Sequence, residues 1–284
     1  MKNIDLSSLE GKKVNVLIEK ADELLKENLE GKIHAHKIYN LILDQIPTKY
    51  DNANLHVLRG ILRQKIWNCE RSFFWNEKFF SQSGQDKILK DHFFKDKKKG
   101  FFVEIGAFDG IEGSNCFYFE KVQAWDGIAV EASKIQFNKL KKNRKCKLFN
   151  EAINSKEKDV EFIEVQEGLT QMSGIDDENY IAKEFINKDP NSKIGKFNTK
   201  TVTFEKIVPT NAIIDYLSLD IEGGEMDLLE SIDFSKYKIK VISVKNNSPD
   251  KINFELFFKK KNYSFFDRVG QDEIFFNNDF FKIN

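Results

Sequence analysis

The segment from Phe101 to Gly110, with the sequence FFVEIGAFDG, constrains the fold more than any other part of the chain. It predicts a short buried strand that runs directly into a glycine-bearing turn. In parallel α/β sheets, a turn of this kind brings the backbone close to a nucleotide-type ligand. Glu104 and Asp109 make the turn acidic, and such charges would repel the pyrophosphate of a dinucleotide. The turn therefore favours a ligand with positive charge and hydroxyl groups, such as S-adenosylmethionine, over NAD.

The composition limits the class of protein. A chain of 284 residues is long enough for one large domain, or for a catalytic domain with a smaller addition. Its 45 basic and 45 acidic residues cancel, so charge gives no case for nucleic-acid binding. The three cysteines form no C-x-x-C pair, which suits a reducing cytosol. The charged N-terminus and the lack of a run of about 20 apolar residues predict a cytoplasmic protein without a signal peptide or membrane span.

Apolar residues at helical spacing predict a helical N-terminal region over residues 1–78. The first apolar stripe runs from Val14 to Leu29, and Gly31 is expected to end that helix. Residues 79–284 instead alternate strand and helix patterns. We therefore expect an α/β domain with a mainly parallel sheet that helices cover on both faces.

In such sheets, ligands bind beyond the carboxyl ends of the strands, near the point where the strand order reverses. The polar segment 166–200 is predicted to be a long loop or lid over that edge. The predicted strands are Phe101–Ile105, Gly127–Glu131, Lys147–Asn150, Val160–Val165, Ile213–Asp220, Lys240–Val244, Tyr263–Asp267 and Ile274–Asn277.

Two of these strands end in residues suited to the adenosine part of a ligand. Glu131 follows an apolar run 21 residues after Gly110, where an acid can accept hydrogen bonds from both ribose hydroxyls. This signal does not separate adenosylmethionine from NAD, because both carry the same diol, and a solvated strand-end charge is the alternative. Glu151 and Ala152 follow the next strand, where a side-chain oxygen or a backbone group could meet the adenine edge.

The stretch YLSLDIEGGE, residues 216–225, predicts a buried strand that delivers Asp220 to the sheet edge. Its paired glycines let the chain turn tightly beneath a ligand. Glu225 is expected to begin the next helix, where its charge suits the helix dipole. Asp220 and Glu222 are the predicted catalytic proton acceptors, because all four histidines precede the first strand. Of these, only His92 could fold over from the preceding helix.

Several segments then carry a specific resemblance. They are residues 81–86 (SQSGQD), 102–110 (FVEIGAFDG), 114–115 (SN), 172–175 (MSGI) and 214–223 (IDYLSLDIEG). In this order, and over residues 81–277, they resemble the FkbM family of methyltransferases. The resemblance implies a Rossmann-like seven-stranded sheet, the adenosylmethionine-dependent methyltransferase fold, and O-methyltransferase activity. Because many relatives modify sugars of capsules, lipopolysaccharides or secondary metabolites, the implied acceptor is a sugar hydroxyl, on a small molecule or a nucleotide-linked sugar.

The resemblance also extends the expected cofactor site beyond the residues discussed above. The expected residues are Gln82, Gln85, Glu104, Gly106, Asp109, Gly110, Ser114, Asn115, Glu131, Ala132, Glu151, Ala152 and Asp220. Glu104, Gly106 and Asp109 would shape the methionine side, and Glu131 would bind the ribose. The N-terminal region before residue 79 lies outside the resemblance. Assembly of a homo-oligomer and cover for the substrate are both open roles for it.

Two interpretations are open for the residues that follow the predicted strand at 240–244. Relatives tend to carry Glu-His-Asn there, whereas this chain has Lys245, Asn246 and Asn247. Asp220 together with the two asparagines resembles the metal site of small-molecule O-methyltransferases, with oxygen ligands suited to Mg²⁺ or Mn²⁺. Alternatively, the asparagines cap a turn. Lys245 could act as a base only if burial lowered its pKa.

Two other functions fit a chain of this pattern less well. A nicotinamide-dependent sugar oxidoreductase would need a pyrophosphate near Asp109 and a catalytic Tyr-Lys pair or His, and no such arrangement is evident. A non-catalytic module that binds the cofactor and recruits a partner through the helical region is the other alternative.

Overall fold

The computed structural model describes residues 11–48, 52–73 and 78–282. Three helices form the N-terminal region, as expected: α1 (Gly11–Leu24), α2 (Leu29–Leu43) and α3 (Ala53–Glu70). The backbone N–H of Gly31 donates to the side chain of Asn28, which caps the start of α2. Gly31 thus lies in the first turn of α2, and the expectation that it ends a helix is wrong. A Cβ at Gly31 would be 2.5 Å from the Leu24 carbonyl oxygen, so glycine allows the two helices to approach closely.

Strands and helices alternate through the rest of the described chain. The strands are β1 (Phe101–Ile105), β2 (Asp126–Val130), β3 (Lys147–Phe149), β4 (Asp159–Glu167), β5 (Gly174–Ile175), β6 (Lys193–Lys200), β7 (Ile213–Leu219), β8 (Lys238–Lys245), β9 (Tyr263–Val269) and β10 (Asp272–Asn277). The helices are α4 (Gln85–Leu89), α5 (Phe117–Lys121), α6 (Lys134–Asn143), α7 (Lys183–Lys188), α8 (Phe204–Ile207), α9 (Glu225–Ser231) and α10 (Phe254–Lys259). A π-helical turn (Lys90–Phe94) continues α4, and a 3-10 turn (Thr170–Met172) precedes β5.

Seven strands form one mostly parallel sheet in the order β3-β2-β1-β7-β8-β10-β9. All neighbours from β3 to β8 pair in parallel, and β10 pairs antiparallel with both β8 and β9. The chain proceeds outward from β1 through β2 to β3, then returns to β7 on the other side of β1. The strand order therefore reverses between β1 and β7, which places a crevice at their carboxyl ends. The predicted α/β fold with a mostly parallel sheet is confirmed.

Both faces of this sheet are buried. Val103 and Ile105 pack on one face with β7, β8 and helices α8 to α10. Phe102 packs on the other face in a cluster rich in aromatic residues, with Phe119 and Trp125. Burial on two faces explains why these strands have continuous apolar sequences instead of an alternating pattern.

The segment 166–200, predicted to be a loop, contains regular structure. β4 pairs antiparallel with β5 and with β6, and the three strands form a second sheet. The predicted strand Val160–Val165 belongs to this second sheet. Along most of β6, half-buried residues alternate with exposed ones, and none is fully buried. A strand with so little burial carries polar residues on both faces, so its sequence lacks the apolar periodicity that predicts a strand.

Helix α3 packs directly on the β9–β10 hairpin. Gly60 meets Gly270 closely: the Gly270 N–H donates to the Gly60 carbonyl oxygen at 3.1 Å, and a Cβ at Gly60 would be 2.1 Å from the Gly270 carbonyl oxygen. Arg59 and Arg63 both form ion pairs with the buried Asp267. The N-terminal region is thus joined to the sheet by backbone contact and buried charge. Within the described ranges, no helix combines the length and apolar character that a bilayer crossing requires.

Candidate active site

A cavity of about 1010 Å³ opens where the strand order reverses. The carboxyl ends of β1, β2, β7 and β8 form its floor, and the β9–β10 turn forms one side. One face of α3 forms another wall, with Gly60, Gln64 and Asn68 among its residues. A cavity therefore lies where the binding region was expected, and the N-terminal region contributes to its wall.

The turn after β1 approaches the turn after β7 very closely. Gly106 has a φ of 84°, and a Cβ there would be 1.7 Å from the carbonyl oxygen of Asp220. Only glycine fits both conditions. Because Gly106 and Asp220 both line the cavity, this contact fixes the part of the floor where the two strand ends meet.

Glu131 lies in the cavity with its carboxylate held by backbone amides. One oxygen accepts from the Phe108 N–H at 2.8 Å and the other from the Ser133 N–H at 2.7 Å. Each carboxylate oxygen retains a lone pair for a ligand hydroxyl. Burial raises the pKa of Glu131 to about 7 despite these two amides, and the charge of Asp220 raises it further. Glu131 is thus a buried acceptor that gives up its proton near neutral pH.

The other expected acids of the first turn, Glu104 and Asp109, form hydrogen bonds within the fold. The Glu104 carboxylate accepts from Arg144 Nη1 and from Ser114 Oγ, each at 2.7 Å, and Arg144 is fully buried. Asp109 accepts from two backbone amides of its own turn and, like Gly110, does not line the cavity. Glu104 and Ser114 line the cavity, but their side-chain oxygens already form hydrogen bonds within the fold, and their expected roles in cofactor binding stay predictions.

The floor of the cavity also contains a buried polar cluster around Asp272. Asp272 Oδ2 accepts from Gln85 Nε2 and from Asn115 Nδ2, each at 3.0 Å. Burial raises the pKa of Asp272 to about 6, and the nearby Asp220 raises it further. Asn115 Oδ1 is buried and has no hydrogen-bond partner among the described residues. The cluster therefore contains an unused acceptor on a residue that lines the cavity. Asp272 was missed from the sequence because it follows an ordinary hairpin turn.

Ala132, Glu151 and Ala152, which follow β2 and β3, all line the cavity. Gln82 also lines it, from the segment before β1, and is exposed. The order of these residues around the cavity follows the strand order β3-β2-β1.

Gln136 is a residue that sequence reasoning missed. It lies in the first turn of α6, is 1% exposed and lines the cavity. Neither of its side-chain polar atoms has a partner among the described residues. A buried carboxamide without partners is costly, so a ligand that pairs with it would recover that free energy. Ser133 and Gln136 match the S-x-x-Q capping pattern, so the sequence alone predicts a helix cap at Gln136 and gives no sign of an unpaired buried carboxamide.

The turn after β7 places Glu222 beside Lys245. Lys245 Nζ is 2.6 Å from Glu222 Oε1 and 3.2 Å from Asp220 Oδ1. Burial raises the pKa of Glu222 to about 7, and the charge of Asp220 adds to this effect while Lys245 opposes it. Burial alone would lower the pKa of Lys245, but Asp220 and Glu222 outweigh it and the pKa is raised. Lys245 therefore stays protonated, and a role for it as a base is not supported.

Glu225 begins α9, as expected, and turns its carboxylate toward its own loop. Its Oε1 accepts from the backbone N–H groups of Ile221 and Gly223. His56 pairs with Glu273, and His92 packs on Phe266. No histidine of the described chain lines the cavity.

The residues at the end of β8 do not fit a divalent metal. The Asn246 side chain is 1% exposed, and its Nδ2 donates to Glu273 Oε1 at 2.7 Å. Its Oδ1 accepts from the Ser248 N–H at 3.1 Å, so Asn246 caps a turn, as the alternative interpretation holds. Among the described residues, no three His, Cys, Asp or Glu side chains are arranged to hold a metal. The expected metal site of Asp220, Asn246 and Asn247 is therefore not supported.

A comparison with protein families agrees with the sequence resemblance. A family model described as the methyltransferase FkbM domain matches residues 104–267. The crystal structure of methyltransferase FkbM from Methylobacillus flagellatus KT is similar over 84% of this chain, with 11% identity and a TM-score of 0.41. This chain spans 57% of that protein's length. The N-terminal domain of human METTL16 is similar over 86% of this chain and 94% of its own, with 9% identity and a TM-score of 0.35. No curated protein matches the sequence.

Proposed function

The chain belongs to the FkbM methyltransferase family, and from that premise we propose that it transfers the methyl group of S-adenosylmethionine to a sugar hydroxyl. Glu131 is the observation that carries the proposal. Its carboxylate is buried at the carboxyl end of β2, and each oxygen keeps one lone pair toward the cavity. Two acceptors on one planar group match the two adjacent hydroxyls of a ribose.

The remaining lining supports an adenosyl group beside Glu131. Gln136 offers both a donor and an acceptor, the pair that a carboxamide needs to bind an adenine edge. Ala132 and Ala152 are small and leave space for a flat ring. Glu151 lies on the same side, at the end of β3. We assign these residues to the ribose and adenine.

The polar cluster at the β1 and β7 ends supports the methionine part. Asn115 Oδ1 is an unused acceptor, and Asp220 adds a carboxylate that is 40% exposed. Together they suit an ammonium group. Gly106 lets the backbone come near without a side chain in the way. Gln85 holds Asp272, so we assign it a positioning role.

The catalytic residues in this proposal are Asp220 and Glu222. A sugar hydroxyl is a poor nucleophile while it keeps its proton, so an acceptor for that proton is needed. Glu222 is buried, lines the cavity and has a pKa near neutrality, which suits general-base catalysis. S-adenosylmethionine supplies, when bound, an electrophilic methyl carbon on a positively charged sulfur. Holding the two reactants in line accounts for on the order of 7–11 kcal/mol of the barrier in reactions of this kind.

We further propose that residues 79–284 form the methyltransferase domain, Rossmann-like in type, and that residues 1–78 cover the acceptor. The α3 wall supports this division, because Gln64 and Asn68 bring amide groups to the cavity. Amides suit a ligand with many hydroxyls. Such an acceptor would be a sugar of a capsule, a lipopolysaccharide or another surface glycan, free or linked to a nucleotide.

Thermal unfolding with several ligands tests the donor. S-adenosylmethionine and S-adenosylhomocysteine at about 100 times their Kd should stabilise the protein by about 2.7 kcal/mol, a rise in Tm of about 5 °C or more. NAD should produce no shift. Stabilisation by NAD alone would overturn the proposal in favour of an oxidoreductase.

A panel of sugars and nucleotide sugars tests the acceptor, with transfer of a radioactive methyl group as the readout. Transfer to a sugar hydroxyl is the expected result. Tight binding of S-adenosylmethionine without transfer to any member of the panel would instead favour a non-catalytic binding module.

A further inference from the structure

Lys245 ends β8 with its ammonium group enclosed by the cavity carboxylates. The side chain is 12% exposed, and Nζ lies 2.6 Å from Glu222 Oε1 and 3.2 Å from Asp220 Oδ1. Both carboxylates line the same cavity. The positive charge is therefore fixed at the junction of the β7 and β8 ends, where the acceptor hydroxyl is expected in the proposed reaction.

The backbone around Glu222 is shaped for this contact. Glu222 has a φ of 59°, an uncommon conformation for a residue with a side chain, and Gly223 and Gly224 follow with φ of 136° and 83°. Strained backbone of this type persists where the surrounding structure demands it, and it is concentrated at functional sites. At Glu222 the conformation turns the carboxylate toward the Lys245 ammonium, so the ion pair is built into the turn.

The Lys245 ammonium group occupies the position beside Asp220 and Glu222 where a bound metal would have to lie. A divalent ion bound by Asp220 and Glu222 would lie beside the ammonium group and be repelled by it. Asn246 is turned away and fully used in the fold. The carboxylates are thus compensated by a cation that belongs to the chain.

We propose that Lys245 serves as a built-in cation in place of a divalent metal and stabilises the acceptor oxygen during methyl transfer. This inference rests on the proposed function. In the step, the acceptor hydroxyl gives its proton to Glu222 as its oxygen bonds to the methyl carbon. The bond between methyl carbon and sulfur breaks, and the sulfur keeps its electron pair. The Lys245 ammonium donates a hydrogen bond to the oxygen while negative charge develops there.

Metal binding tests the first half of the proposal without any acceptor. We would titrate the wild-type protein with Mn²⁺ alone and follow free Mn²⁺ by electron paramagnetic resonance. The expected result is no binding below millimolar Mn²⁺. Lys245→Met removes the cation and leaves the carboxylates, so it should bind Mn²⁺ at least about 10-fold more tightly than the wild type. Micromolar binding to the wild-type protein would overturn the proposal.

Lys240→Met is a matched control for the Mn²⁺ titration and for measurements of the methyl-transfer rate. Lys240 lies on the same strand and pairs with the buried Asp215 at 2.7 Å, but it does not line the cavity. This variant loses the same charge and the same kind of ion pair. It should bind Mn²⁺ no better than the wild type and should keep the wild-type kcat.

Kinetics test the second half. Wild-type methyl transfer should be the same in excess EDTA and in Mg²⁺ or Mn²⁺. Lys245→Met should lower kcat by about 100-fold, the loss typical of removing one oxyanion donor, while the Kd for S-adenosylmethionine stays within about 3-fold. Lys245→Arg, which keeps the charge, should retain more activity than the methionine variant. A wild-type rate abolished by EDTA and restored by Mn²⁺, or an unchanged kcat in Lys245→Met, would overturn the proposal.

The two proposals can fail separately. If the wild-type protein transfers no methyl group under any metal condition, the proposed acceptor class fails, and the Mn²⁺ titration still decides whether Lys245 excludes a metal. If Lys245→Met does not fold, Lys245→Arg and the wild-type titration remain decisive.

Discussion

Glu131 gives the sharpest prediction, because its protonation state and its contacts are both defined. We consider Glu131→Gln, which keeps the shape of the side chain and removes its charge. The amide keeps one acceptor oxygen and presents a donor where the second acceptor was, so one charge-assisted hydrogen bond to the ribose is lost. Such a bond contributes about 1.5–3 kcal/mol. With about 2 kcal/mol lost, the Kd for S-adenosylmethionine at pH 8 should rise about 30-fold.

This ratio should depend on pH. Because burial raises the pKa of Glu131 to about 7, most wild-type molecules are ionised at pH 8 but only about one in ten at pH 6. A protonated Glu131 closely resembles glutamine, so the wild type then binds like the variant. The ratio of the two Kd values should fall from about 30 at pH 8 to about 4 at pH 6, as measured by titration calorimetry.

Glu225→Gln is the control for the Glu131 experiment. Burial raises the pKa of Glu225 to about 7 as well, and the residue is equally buried, but it does not line the cavity. Its Kd ratio to the wild type should therefore not change with pH. A ratio for Glu131→Gln that is the same at pH 6 and pH 8 would refute the reasoning, and a Kd within error of the wild type at pH 8 would remove Glu131 from the site.

Four further outcomes follow from the described contacts. Gly106→Ala would place a Cβ 1.7 Å from the Asp220 carbonyl oxygen. Thermal unfolding of this variant should therefore show a loss of at least about 2 kcal/mol in the free energy of unfolding. An unchanged free energy of unfolding would contradict the close contact. Gln136→Leu should weaken S-adenosylmethionine binding about 10-fold, as measured by calorimetry. The Tm of the free protein should not fall, because the substitution removes an unpaired buried amide. A lower Tm with an unchanged Kd would indicate a purely structural role for Gln136. Arg144→Met leaves two buried carboxylates without their partner and should cost about 3–5 kcal/mol in urea unfolding. The free protein should lose unfolding free energy as the pH rises from about 5 to about 8, because Glu131, Glu222, Glu225 and Asp272 all have raised folded-state pKa values and favour folding only while they keep their protons. A constant stability over this range would count against these raised pKa values.

The sequence predicts the sheet well because strand signals are local. β1 and β7 are short apolar runs that end in glycine-bearing turns. Runs of this length between turn residues are typical of strands that are buried on both faces of a sheet. The segment 166–200 fails for the opposite reason. β6 has no fully buried residue, so its strand character depends on pairing with β4 and leaves no apolar pattern in the sequence.

The candidate site was predicted in position but not in orientation. Strand ends locate Glu104, Glu131 and Asp220 at one edge, yet the direction of each carboxylate depends on partners far along the chain. Arg144 lies 40 residues from Glu104 in the sequence and binds its carboxylate within the fold. Lys245 lies 23 residues from Glu222 and binds it in the same way. Packing brings these partners together, and periodicity carries no information about it. The roles in ligand binding stay predictions until the experiments above are done.

The contact between α3 and the β9–β10 hairpin limits how far the chain can be shortened from its N-terminal side. Asp267 lies at this contact and draws its two arginine partners from α3, with Nη2 of Arg63 at 2.6 Å from one of its oxygens. A shortened version that begins at residue 79 would leave that buried carboxylate without its two arginine partners and would remove the α3 wall of the cavity. Removal of α3 is therefore expected to destabilise the rest of the chain, and replacing α3 with the corresponding helix of a relative should require that both arginines are kept.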